Sequence, residues 1–532
     1  MIDSFIRIGL ALCVFSQCIG CRTWTEARHE FVSPLNRFLH LDYAAAWRAM
    51  DLHAISSFYD SRLSSSSTWR ESHSATLSRF KNLEQARVII QDVSFHDGRE
   101  DSVTVKLRLD LRGTTPANDR LAIDERLSVD CLRTGGTWAI VREESLQSES
   151  RTGDGNTFTE EARARGLVFT HRSGGVIDRF GRVQDYSPGA GLAVGDYDND
   201  GFDDVFLVGG DNSRLFRNGG DGSFEDSTAG SGIRTSEIGE GRSAVFADYD
   251  NDGFLDLFIV RNDAPNELYR NLRDGTFQDV SEVAGLVKDE YKHEVSVGVC
   301  FADFNNDGWL DLYLLNSKNL FRDHPAPMYN ALNATSNRLF LSTRDGRFRD
   351  ATVESGVGHT GWALTVSTSD YDLDGDVDLM VGNDVGYNAL FRNNGDATFE
   401  NVTIDSGVLH RGANMSVSWG DLNGDGLQDL FVGAMDSNSR WMIDHPEFPA
   451  PAPWFINLFI RDTVLDILRE MLHGNRLYIN QGDGTFTERS EKSQVRFNGW
   501  AWSSLTFDYD NDGDLDVYGI NGFISGEKPR DL

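Results

Sequence analysis

One acidic pattern, written six times, limits what this chain can fold into more than any other feature. The copies are GDYDNDGFDDVFLV from Gly195, ADYDNDGFLDLFIV from Ala247, ADFNNDGWLDLYLL from Ala302, SDYDLDGDVDLMVG from Ser369, GDLNGDGLQDLFVG from Gly420 and FDYDNDGDLDVYGI from Phe507. Each places Asp or Asn at loop positions 1, 3, 5 and 9, Gly at 6, and an apolar run from 10 onward. Alternate residues of a tight loop turn their side-chain oxygens inward, Gly at 6 permits a sharp turn, and the carbonyl of position 7 adds a ligand. That is the coordination chemistry of a hard cation. Oxygen-only ligation, without His or Cys, favours calcium over zinc or copper.

The expected ligands are Asp196, Asp198, Asp200 and Asp204 in loop I, and Asp248, Asp250, Asp252 and Asp256 in loop II. Loop III offers Asp303, Asn305, Asp307 and Asp311; loop IV offers Asp370, Asp372, Asp374 and Asp378. Loop V has Asp421, Asn423, Asp425 and Asp429, and loop VI has Asp508, Asp510, Asp512 and Asp516. An EF-hand would need a Glu at position 12 and a flanking helix on each side. Position 12 is instead Leu207, Ile259, Leu314, Val381, Val432 and Gly519, and the residues after position 9 read as buried strands. A merely polar turn would suit one isolated copy. Six copies in register, 22 of whose 24 ligands are Asp, point to about six calcium sites, because crowding carboxylates without a cation is costly.

A second element alternates with the first: SRLFRNGGDGSFED (213–226), NELYRNLRDGTFQD (266–279), NRLFLSTRDGRFRD (337–350), NALFRNNGDATFEN (388–401) and NRLYINQGDGTFTE (475–488). Leu-Phe/Tyr, a GDG-type turn and a Phe among alternating polar residues predict a β-hairpin. One unit then reads strand, acidic loop, strand, hairpin. Loop-to-loop separations of 52, 55, 67, 51 and 87 residues give a period near 50 with four strands per unit, which predicts propeller blades. The two long separations mark insertions at about 316–336 and 436–474, the second with an amphipathic stretch, Asn457–Leu472, expected to be helical.

These loops and hairpins resemble the FG-GAP/VCBS repeat family, on its ASPIC/UnbV, cartilage-acidic-protein-like branch, over about 153–532. The resemblance implies a mainly β fold: an integrin-α-like calcium-binding β-propeller of six or seven blades, exported and mostly serving in binding. Two departures stand out. Six acidic loops replace the seven blades of integrin-like propellers, and no complete ASPIC/UnbV tail follows Gly522.

Residues 30–150 hold no acidic loop. A helical region from about Phe31 to Ala86 precedes strand-like runs at Arg87–Phe95, Ser102–Leu111, Leu121–Leu132 and Thr137–Glu143, an α+β pattern. It resembles the NTF2-like, or SnoaL-like, fold, expected here in a non-catalytic role. At the N-terminus, IRIGLALCVF (6–15) is apolar but too short to span a bilayer. Cys18-Ile19-Gly20-Cys21 follows and resembles a bacterial lipobox with Cys21 acylated, so that 1–21 is a signal segment. A cleaved secretion signal and a cytosolic apolar N-terminus are the alternatives. The expected location is the bacterial cell envelope or the outside medium, with the membrane reached only through the lipid.

A formal charge of −33, from 50 Lys+Arg against 83 Asp+Glu in 532 residues, leaves no basic surface for phosphates and excludes nucleic acid as a partner. Five Cys exclude a disulfide scaffold, and Cys131 and Cys300, in different expected domains, are not expected to pair. No GxSxG, HExxH, Walker loop or strand-linked GxGxxG occurs. His324, His445 and His473 lie in the insertions. Trp441, Trp454, Trp500 and Trp502 offer a sugar-stacking platform, or core packing in the case of Trp500 and Trp502.

The function expected is a surface recognition or adhesion module for a protein or glycan, not an enzyme. The alternative is an extracellular hydrolase or lyase with its site in the insertions, where His and carboxylates would have to converge. Closure of the ring is expected to pair the strand around Thr157–Thr159 with Ser503–Asp508 and Leu515–Ile520, because the tail GDGNTFTEEARARGL (153–167) matches those at 221–233 and 274–286.

Overall fold

A computed structural model describes residues 35, 37–60, 67–95, 101–153, 160–171, 176–177, 183–184, 191–209, 212–234, 240–262, 264–288, 291, 294–318, 323, 325–327, 330–435, 470–471, 473–496, 501–510 and 512–521. These fall into two compact units that divide after Thr159.

In the first unit, a π-helical turn, Arg37–Tyr43, runs into the helix Ala44–Arg48, followed by Leu52–Ser56 and Ser67–Ser78. Asp51 caps the second of these, its Oδ1 accepting from the backbone N–H of His53 and Ala54. Four long antiparallel strands follow as a meander: Asn82–Phe95, Ser102–Thr114, Arg120–Thr134 and Thr137–Gly153. They outrun the sequence expectation at both ends. The first begins at Asn82, inside the region read as helical, and the last continues through Gly153, which pairs with Arg120. Val103, Val105, Leu107, Leu109 and Leu111 alternate inward as a period-two strand requires, and pack with Tyr43, Trp47 and Trp138 in one core.

The second unit is the propeller. Blades I to V are four-stranded antiparallel units in which each acidic loop joins the first strand to the second, and the pair Asn262–Val295 joins blades II and III into one eight-stranded sheet. Blade I comprises Leu192–Gly195, Asp204–Leu207, Arg214–Asn218 and Phe224–Asp226. Blade II comprises Glu240–Ala247, Asp256–Asn262, Glu267–Asn271 and Phe277–Asp279, and blade III comprises Val295–Ala302, Asp311–Ser317, Arg338–Ser342 and Phe348–Asp350. Blades IV and V repeat the scheme from Ala363 and Asn414. Blade VI shows two strands, Ala501–Phe507 and Asp516–Asn521. The first strands of successive blades pack side by side from I to VI.

Blades are glued by aromatic pairs that cross from one to the next. The residue at loop position 2 meets the hairpin Phe of the following blade: Tyr197 with Phe277 at 5.6 Å, Tyr249 with Phe348 at 5.9 Å, Phe304 with Phe399 at 5.7 Å and Tyr371 with Phe486 at 5.5 Å between ring centroids. Such offset and tilted contacts add to the area these rings bury. The tail that precedes blade I obeys the same register. The carbonyl of Arg165 accepts from Phe224 N–H at 2.6 Å, as that of Ser231 accepts from Phe277 N–H at 2.7 Å one blade later. Residues 154–159, on which ring closure was expected to depend, lie outside the described residues. So do the leader through residue 34 and insertion residues 436–469, and with them most of the expected helix at 457–472.

The fully buried second strands predict where the propeller is fragile. Leu257→Ala, at a residue with no exposed area, is expected to cost about 2–5 kcal/mol in denaturant unfolding. Val353→Ala, at a residue 96% exposed, is expected to change stability by less than about 0.5 kcal/mol.

Candidate metal centres

The loops are built from the backbone outward. Position 6 lies in the left-handed region in every loop, with φ from 82° to 96°, which glycine adopts without a Cβ penalty. Position 4 is left-handed too: Asn199, Asn251, Asn306, Leu373 and Gly424 have φ between 53° and 74°. Asn and Gly tolerate that conformation; Leu373 is strained by it. The side chain of position 1 closes the loop. In loop I one Asp196 oxygen accepts from Asp200 N–H at 3.0 Å and the other from Gly201 N–H at 2.8 Å, and the same pair of bonds recurs in all six loops.

Position 9 ties loop to hairpin. Asp256 is 1% exposed; its Oδ2 accepts from Tyr249 N–H at 3.2 Å and its Oδ1 from Asn271 N–H at 2.8 Å. Asp204, Asp311, Asp378 and Asp429 do the same with their own hairpins. Asn271 then donates from Nδ2 to the carbonyl of Tyr197 in the preceding loop at 2.7 Å, and Asn393 and Asn480 repeat this bond to Phe304 and Tyr371. Successive loops are also linked directly. Asn199 Nδ2 donates to Gly253 O at 2.9 Å, Asn251 Nδ2 to Gly308 O at 2.8 Å, and Asn306 Nδ2 to Asp376 Oδ1 at 2.6 Å.

Position 3 carries the sign of a cation. Oδ1 of Asp198, Asp250, Asp372 and Asp510 is buried with no hydrogen-bond partner, a costly state for a carboxylate unless a cation meets it. In these four loops, ligand oxygens of three carboxylates lie within 4.8 Å of one another: Asp196, Asp198 and Asp204; Asp248, Asp250 and Asp256; Asp370, Asp372 and Asp374; and Asp508, Asp510 and Asp512. Position 9 joins the cluster in loops I and II, while in loops IV and VI position 5 does, and Asp378 and Asp516 stay outside it. Loops III and V differ. Asn305 and Asn423 stand at position 3, and their amide oxygens accept from Asp307 N–H at 3.1 Å and Asp425 N–H at 2.9 Å. The donor set of loops I, II, IV and VI therefore fits a hard divalent cation best.

Arginines from the hairpins lean over the loops. Arg217 pairs with Asp198 and, at 2.8 Å, with Asp200; Arg270 pairs with Asp250 at 3.2 Å, Arg273 with Asp252 at 2.8 Å and Arg344 with Asp307 at 3.0 Å. Their charge does not suffice for the buried oxygens. Lost hydration, reinforced by neighbouring loop carboxylates, pushes Asp204 up to about 6, Asp311 and Asp378 to about 7 and Asp256 to about 8.

The histidines and tryptophans of the insertions do not form a site among the described residues. His473 meets the Arg496 guanidinium, Trp502 lies half-buried on the first strand of blade VI, and His324, His445, Trp441, Trp454 and Trp500 lie outside the described residues. Cys131 and Cys300 are free thiols.

A polar cluster that the sequence reading missed lies in the first unit. The Tyr43 hydroxyl is 2.9 Å from that of Tyr59 and 3.2 Å from His73 Nε2, and Tyr59 donates to Glu143. Burial lowers His73 to about 4 and raises Glu143 to about 7. Tyr59 stacks on Trp69 at 4.0 Å and His73 is 2% exposed, so these groups satisfy one another beneath aromatic rings. No signal marks them in the sequence, because the partners stand 14 to 84 residues apart.

Two outcomes follow from the loop geometry. Loop carboxylates with folded values above the ordinary one bind protons more tightly in the native state, so their stabilising effect is present at low pH and is lost as pH rises through those values. In chelator, the melting midpoint is therefore expected to fall between about pH 5 and pH 8, and calcium to flatten that fall; a rise with pH in chelator would contradict the loop electrostatics. Leu373→Asn, at an exposed left-handed position, is expected to raise stability by about 1 kcal/mol in denaturant melts.

Comparison with known proteins places this geometry. The family model described as FG-GAP-like repeat matches residues 196–259, 248–314, 370–432 and 461–519, which between them contain all six loops. Cartilage acidic protein 1 of Homo sapiens is 28% identical over 290 residues, covering 52% of this chain and 40% of that protein; its Mus musculus counterpart is 26% identical over 288 residues, covering 52% and 41%. The chain thus spans less than half the length of these relatives. Among solved structures, an Agrocybe aegerita lectin that recognises non-reducing terminal N-acetylglucosamine is 14% identical, covering 75% of this chain and 92% of that one at a TM-score of 0.32. The V. cholerae biofilm matrix protein Bap1 is 16% identical, covering 56% and 38% at a TM-score of 0.28. With all six acidic loops inside the matched segments, the chain carries FG-GAP-like repeats and is similar to cartilage acidic protein 1.

Proposed function

We propose that this protein is an exported, calcium-binding propeller that serves at the cell surface as a recognition or adhesion module for a protein or glycan. The observation that carries the reading is the buried, partnerless Oδ1 of Asp198, Asp250, Asp372 and Asp510, each beside two further carboxylates. Calcium supplies the countercharge that these oxygens lack and fixes the loops that join the first two strands of each blade. The chain's residues do the rest: position 1 holds the loop closed, position 9 latches the hairpin, and position 4 links neighbouring loops. Loops III and V, with Asn at position 3, hold the ion more weakly on this reading. Among the described residues no helix is long and apolar enough to cross a membrane. Membrane attachment, on this proposal, comes through acylated Cys21. The enzyme alternative gains nothing from the cluster around His73, which is closed to a substrate by its own packing.

Thermal melting with calcium and with chelator tests the reading. A site loaded at a hundredfold excess over Kd adds about 2.7 kcal/mol, with affinities near 10⁻⁴–10⁻³ M expected for extracellular modules. The midpoint is expected to rise with millimolar calcium, and less so in Asp250→Asn; an unchanged midpoint would overturn the calcium reading. A protein and glycan array probed with and without calcium then identifies the ligand class. For the anchor, membrane partitioning of the wild type and its loss in Cys21→Ser are the expected results, and equal partitioning would refute acylation.

A further inference from the structure

We propose that the cleft between blades II and III binds an acidic sugar residue, and binds it when loop II carries its cation; this rests on the calcium reading above. The cleft has a volume of about 310 Å³, at the small end of ligand pockets and suited to one or two sugar rings. Arg270, Arg344 and Arg347 line it against Asp250 and Asp345, an excess of guanidinium groups in a chain of net charge −33. Trp309, half-buried at position 7 of loop III, supplies an indole wall. The other loops place Phe202, Phe254, Asp376, Leu427 and Asp514 there, so this blade junction differs from its neighbours. Aromatic faces take the C–H face of a sugar, and guanidinium forks take carboxylate or sulfate bidentately. A compact cleft with an indole wall favours a saccharide over an acidic peptide, which would need an extended groove or a free sheet edge.

The coupling to the cation comes from what the arginines now hold. Arg270 Nε lies 3.2 Å from Asp250 Oδ2, and Arg344 Nε donates to Asp307 Oδ2 at 3.0 Å. Both carboxylates are loop positions read as ligands, and the other oxygen of Asp250 has no partner. A cation in loop II that takes over the countercharge of Asp250 releases Arg270 toward the cleft, beside the exposed Arg344 and Arg347.

The test is calorimetric titration of the full chain with the disaccharide of galacturonic acid, its neutral galactose counterpart and a hexaglutamate peptide, each in calcium and in chelator. The expected result is binding of the acidic disaccharide at least about tenfold tighter than of the neutral one, in calcium only, with that preference lost in Arg270→Gln/Arg344→Gln. Equal affinity for the two disaccharides, a preference for the peptide, or an unaffected double variant would overturn the assignment. Equal binding of the acidic sugar in chelator would overturn its coupling to the cation. The melting shift with calcium, recorded on the same double variant, separates the two readings: if the shift persists while the sugar preference is absent in the wild type, only the cleft fails.

Discussion

The propeller hangs on a buried carboxylate at the end of acidic loops I to V. Asp204, Asp256, Asp311, Asp378 and Asp429 are at most 1% exposed, and each accepts one backbone N–H from its own loop and one from its hairpin. A buried charge is tolerable only with such partners, and here the partners fix three segments of the blade at once. The hairpin residue that donates to it, Asn271 in blade II, reaches back with its amide to the preceding loop. The same contact therefore sets the register within a blade and the spacing between blades.

That arrangement has an electrostatic consequence. Packing an acid at position 9 beside acids at positions 1, 3 and 5 leaves more negative charge than the hairpin arginines offset, and the excess collects on buried oxygens of position 3. The repeats are unequal in this respect. Where position 3 is Asn, its amide oxygen turns to a backbone N–H and the loop is content by itself; where it is Asp, the oxygen faces no donor. Hydrogen bonds from position 4 chain loops I to IV together, so a cation bound in one loop bears on the geometry of the next.

The architecture was legible in the sequence because it is local and periodic. The spacing of Asp196, Asp198, Asp200 and Asp204 exposes the loop, the Gly at 6 its turn, and the GDG-type segments their hairpins. What joins one repeat to the next was not legible. Asn251 reads as a filler between two Asp residues until its amide is seen on Gly308, and Tyr249 reads as a core aromatic without naming Phe348 as its neighbour. Contacts between repeats leave no period inside a repeat. The first unit was legible only as an order of elements. Its strands run several residues past their apolar cores, as Thr137–Gly153 does, because ladder pairing continues where side chains have become polar. Its buried Tyr43, Tyr59, His73 and Glu143 meet only after the chain has folded.

The measurement that bears most directly on this account is a crystal structure of the full chain grown in calcium, with ions identified by anomalous scattering. The account predicts ions in loops I, II, IV and VI, each about 2.3–2.6 Å from Oδ1 of Asp198, Asp250, Asp372 or Asp510. Those oxygens bonded instead to water or to arginine, with no ion in millimolar calcium, would contradict it.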